Sequence, residues 1–115
     1  MVKTVIFIDD AGTILGFETK GHAGSAPAGQ DVVCAGVSAL TFTAVNGLEH
    51  FLGATATEVE APEPGELRCI LKIPLNQNDS KVAQIILETM LLGLEQIQEA
   101  YPAYVKVQKR RCVPC

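Results

Sequence analysis

His22 and Cys34 stand at the two ends of a run of small side chains, GHAGSAPAGQDVVC, spanning Gly21 to Cys34. A histidine and a cysteine held together can do nucleophilic chemistry. The imidazole takes the thiol proton and later returns it to a leaving amine, while the thiolate attacks a carbonyl carbon. Asp31 reads as the N-cap of a helix, which would put Cys34 at the third helical position, among unpaired backbone N–H groups and near the positive end of the helix dipole. That setting favours a thiolate and offers donors to an oxyanion. Ser38, four residues on, falls one turn further along the same face. Asp31 can also orient the imidazole, though capping is the simpler role.

The elements that must position this pair follow from periodicity. Val2 to Ile8 (VKTVIFI) is β-branched and apolar, and Thr13 to Lys20 returns as its hairpin partner across Asp9-Asp10-Ala11-Gly12. That second strand ends by delivering Gly21 and His22 to the sheet edge. Gly21 to Gln30 has almost no bulk to anchor it and is expected to arch as a lid. A helix from Asp31 to about Leu52 carries Val33, Val37, Leu40, Ala44, Leu48 and Phe51 as one apolar stripe and stops at Gly53. Ala54 to Glu60 and Glu66 to Ile73 alternate as two strands, the second with Leu67, Cys69, Leu71 and Ile73 on its buried face. A second helix, capped within Asn78-Asp79-Ser80, runs to about Ala100 and is apolar on more than one face, so a second copy of the chain is expected to cover part of it. Tyr104 to Val107 reads as a short last strand, and residues 109–115 as a flexible tail. The order ββαββαβ predicts an α+β fold of one domain over residues 1–115, a two-layer sandwich with two helices on one face of a largely antiparallel or mixed sheet.

Composition narrows the function. The 115 residues, 48% hydrophobic and 19% charged, suit one globular domain, and a net charge of −4 with pI near 5.0 argues against direct nucleic-acid binding. A basic protein or peptide is the better-matched partner. The apolar run near the amino terminus is too short for a signal core or a membrane span, so a cytoplasmic setting and four free thiols are expected. Two histidines and four cysteines lack the spacing of a tetrahedral zinc site, and neither a metal nor a cofactor is expected. Cys112-Val-Pro-Cys115 has the spacing of a redox pair but no residues after it to form the helix such a pair begins; an inert or adventitiously oxidised tail is expected. His50 belongs near the carboxyl end of the first helix. The alternative to a peptidase is a non-enzymatic anion-binding module that uses the Gly-rich loop and the helix N-terminus, although the G-K-[ST] ending of the P-loop is absent.

The stretch also resembles the signature of the ribosomal-processing cysteine protease family Prp: Gly-His-Ala, a small-residue loop, then Gly-x-Asp-x-Val-Cys-Ala-x-x-Ser. Gly21, His22, Ala23, Gly29, Asp31, Val33, Cys34, Ala35 and Ser38 match it in order. The resemblance implies a cytosolic homodimeric endopeptidase that removes a short amino-terminal extension from the precursor of large-subunit ribosomal protein L twenty-seven. It implies His22 and Cys34 as the catalytic pair, Gly21, Asp31 and Ser38 as supporting residues, and a loop that orders when substrate binds; beside it, the non-enzymatic alternative is a ribosome-associated module.

Overall fold

The computed structural model describes residues 1–21, 28–63 and 65–112, and in the first helix the side chains from residue 32 onward. Five strands and two helices follow in the order β1 (Val2–Ile8), β2 (Ile14–Lys20), α1 (Ala28–Leu52), β3 (Thr57–Glu60), β4 (Leu67–Leu71), α2 (Gln77–Ala100) and β5 (Val105–Arg111). The strands form one mixed sheet in the order β3-β4-β2-β1-β5. β1 pairs antiparallel with β2 and parallel with β5; β2 with β4 and β3 with β4 are antiparallel. This is the expected ββαββαβ sandwich, with both helices on one face.

Alternation along the strands decides what the helices cover. Val2, Ile6, Phe17, Leu67, Cys69, Leu71 and Val105 are buried with Val33, Val37, Leu48, Leu87 and Leu94 from the two helices, and Ile6, Phe17, Leu48, Leu87 and Leu94 are fully closed off from solvent. Each such side chain stabilises the fold by about 1.5–3 kcal/mol. The opposite face is closed by polar stems: the Arg68 guanidinium lies 5.4 Å above the Phe7 ring, and Glu18 pairs with Lys20 at 3.6 Å and with Arg68 at 3.7 Å. Residues Val32–Leu52 of α1 are long and apolar enough to cross a membrane by length and composition alone. In the fold, Val33, Val37, Val45 and Leu48 of this stretch close the core, while Val32, Phe42 and Phe51 face outward.

Several boundaries differ from the sequence expectation, each for a local reason. α1 begins at Ala28, three residues before Asp31, so Asp31 is inside the first turn and does not cap the helix. Ala and Gln are strong helix formers and an acid in the first turn suits the dipole, which offsets Gly29. β3 starts at Thr57 rather than Ala54, and β4 ends at Leu71, leaving Ile73 outside the core at 67% exposure just before Pro74. The cap of α2 is Asn76, whose side chain accepts from the Asp79 N–H at 2.8 Å. β5 runs on through Lys109–Arg111, placing the first three residues of the expected tail beside Ile6–Ile8 of β1. Cys112 is disulfide-bonded, so the expectation of four free thiols fails there; Cys34 and Cys69 are free, and Cys115 lies outside the described residues.

Candidate active site

The site forms where the end of β2 meets α1. Gly21 follows Lys20 with φ of +96°, and a Cβ there would collide with the carbonyl oxygen of Met1. Both the backbone angle and the close approach demand glycine. From α1, Cys34 reaches the same place half-buried, with Ser38 exposed one turn on. Cys34, Ser38 and Gly21 line one cavity of about 260 Å³.

Its floor is apolar, made by Val2, Val37 and Leu67, and Phe42 adds a half-exposed ring at the rim. Thr41 is buried in the wall, its hydroxyl donating to the Val37 carbonyl at 2.9 Å, so its proton is committed to the helix backbone. Thr19 is likewise buried and accepts from the Thr4 hydroxyl at 3.3 Å. Among the described residues no buried side-chain nitrogen or oxygen lacks a partner. The arrangement presents one thiol and one hydroxyl, a helical turn apart, to a groove whose floor suits apolar parts of a peptide.

The helix start changes how Cys34 can be activated. Counting from Ala28, Cys34 is the seventh helical residue, about 9 Å along the axis from the first. The unpaired N–H groups belong to the first four residues, and the dipole's influence fades within that turn. The expected placement of Cys34 among those donors is therefore corrected, which leaves an imidazole as the remaining activating group of the two considered. His22 and the expected lid up to Pro27 lie outside the described residues, while Ala28 to Gln30, also assigned to the lid, are helix. His50 is not a substitute partner. It sits in the last turn of α1, edge-on to the Phe51 ring at 4.8 Å, and sixteen residues of helix, about 24 Å, separate it from Cys34.

Cys69 has the opposite setting. It is 1% exposed in β4, and burial pushes its thiol up to about 11. Among the described residues no group of three or more histidine, cysteine or acidic side chains is placed to hold a metal ion.

Sequence reasoning placed Gly21, Cys34 and Ser38 in one site, and the structure brings them together. It missed Thr41 and Phe42, seven and eight residues beyond Cys34, although helical spacing puts both on the same face. It also missed Val2, Thr19, Glu66 and Leu67, whose presence depends on strand register that no local pattern reveals.

The family described as cysteine protease Prp matches residues 1–106. The ribosomal processing cysteine protease Prp of Staphylococcus aureus is 31% identical over 109 residues, covering 93% of this chain and 97% of that protein. The Bacillus subtilis protein of the same name is 35% identical over 94 residues, covering 82% and 84%. The crystal structure of the S. aureus protease with a covalently linked product peptide superposes with a TM-score of 0.77 at 29% identity, covering 96% of this chain and all of that one.

Proposed function

Because the chain belongs to the Prp family of ribosomal-processing cysteine proteases, we propose that Cys34 is its nucleophile and His22 the base and acid, in an endopeptidase that trims the precursor of ribosomal protein L twenty-seven. The observation that carries this reading is the cavity itself: Cys34 opens into it beside Gly21, the residue that immediately precedes His22 in the chain. In the first step the Cys34 Sγ bonds to the scissile carbonyl carbon as His22 accepts the thiol proton. The peptide C–N bond then breaks, the leaving amine takes that proton, and a thioester remains. Water, deprotonated by His22, attacks the thioester carbonyl; the C–S bond breaks and the thiol is regenerated. Ser38 contacts the substrate or steadies the groove from one turn along α1, and Asp31, in the first turn of the helix, is a further supporting residue.

The substrate's setting implies a cytoplasmic enzyme, and an acidic protein suits a basic ribosomal precursor. We further infer a homodimer. Support comes from an apolar groove of about 440 Å³ between the helices, walled by Leu40, Ala44, Phe51, Ile85 and Met90, in which Phe51 and Ile85 are 67% and 65% exposed.

The deciding experiment is incubation of the purified chain with its own organism's full-length ribosomal precursor, followed by mass spectrometry. One defined amino-terminal cut, absent with Cys34→Ala, is the expected result. An unprocessed precursor, or cleavage that survives the substitution, overturns the assignment.

A further inference from the structure

We infer that Glu66 selects substrates by holding a lysine or arginine side chain of the peptide at the mouth of the Cys34 cavity, an assignment that rests on the peptidase reading above. Among the described residues that line this cavity, Glu66 is the one charged side chain. Its place is set by backbone: Gly65 takes a φ of +83°, the Glu66 N–H donates to the Glu63 carbonyl at 3.0 Å, and the next residue, Leu67, is fixed opposite Thr19 in the sheet. A turn bonded in this way delivers the carboxylate to the rim without ordering a long loop.

The same residue also borders a neighbouring depression that holds two cations, Lys20 and Arg68. Both are engaged by Glu18, at 3.6 and 3.7 Å, and Glu66 makes no side-chain hydrogen bond or ion pair with any described residue. A half-buried carboxylate with no partner among the described residues, beside cations that are already engaged, has its acceptor capacity open to a ligand. The apolar surface of Leu67 and Val2 next to it suits the aliphatic stem of a long cationic side chain, whose charged head then reaches the carboxylate. An aspartate or glutamate in the same place meets a like charge and is rejected.

The test uses peptides spanning the cleavage site, in which each residue near the scissile bond is varied among lysine, norleucine and glutamate. Binding is read by fluorescence anisotropy on the Cys34→Ala chain with and without Glu66→Gln or Glu66→Lys. At one position lysine is expected to bind about three- to tenfold tighter than norleucine. Glu66→Gln removes that ratio, and Glu66→Lys reverses it in favour of glutamate. A lysine-to-norleucine ratio unmoved by both substitutions overturns the assignment. Cleavage of the same peptides by the unaltered chain reports separately on the peptidase reading, which fails if none is cut.

Discussion

Two free cysteines of this chain occupy opposite kinds of place. Cys34 is half-buried on α1 and opens into a cavity, whereas Cys69 is sealed in β4 against the helices, its thiol raised to about 11 by burial alone. The side chains are identical and the surroundings assign the work. A thiol stripped of water and given no cation stays neutral and packs as a small hydrophobe; one at a cavity wall can meet both a base and a substrate.

Exchanging each cysteine tests that contrast, and the largest effect belongs to Cys34. Replacing it with Ala should lower precursor cleavage by at least about a thousandfold while shifting unfolding free energy by no more than about 0.5 kcal/mol. Retained cleavage in a mass-resolved assay breaks the contrast at once. Next is thiol chemistry: with iodoacetamide at pH 8, Cys69 in the folded chain should react at least about a hundredfold more slowly than a free cysteine, and Cys34 far faster than Cys69. Peptide mapping of the labelled sites reads both rates, and similar rates remove the distinction.

Smaller effects concern stability. Since folding raises the Cys69 thiol from 9.0 to about 11, its contribution is complete below pH 9 and is lost as pH rises through 11. The loss should approach about 2–3 kcal/mol, and denaturant midpoints in the Cys69→Ala chain should lack that component of the alkaline decline. Smallest of all, Cys69→Ser at neutral pH puts a hydroxyl where the core offers apolar neighbours, lowering stability by about 1–3 kcal/mol with kcat unchanged. A fall in kcat greater than the fall in folded fraction would tie β4 to the chemistry.

Much of this organisation was legible before any coordinates. Strand alternation and the 3.6-residue stripe of α1 gave the order of elements, since both record which face meets the core. The start of α1 was misplaced because Asp31 is the most conspicuous capping residue, while Ala28 to Gln30 look like loop beside so many glycines. β5 was cut short because Lys109–Arg111 carry no apolar alternation; their strand conformation comes from parallel pairing with β1, which is invisible locally. Ile73 continued the alternation of β4 in sequence and left the sheet in space. For the site, helical spacing found Ser38 from Cys34, whereas Glu66 came into view only with the register that sets Leu67 against Thr19.

The parallel pairing of β1 with β5 also has a temporal side. Val2 lies opposite Val105, so β1 leaves the ribosome roughly a hundred residues ahead of the strand that covers one of its edges. Until then Val2, which floors the Cys34 cavity, belongs to a strand with an unpaired side. The Val2 wall of this cavity is therefore backed on both sides only once β5 has been made and has paired with β1.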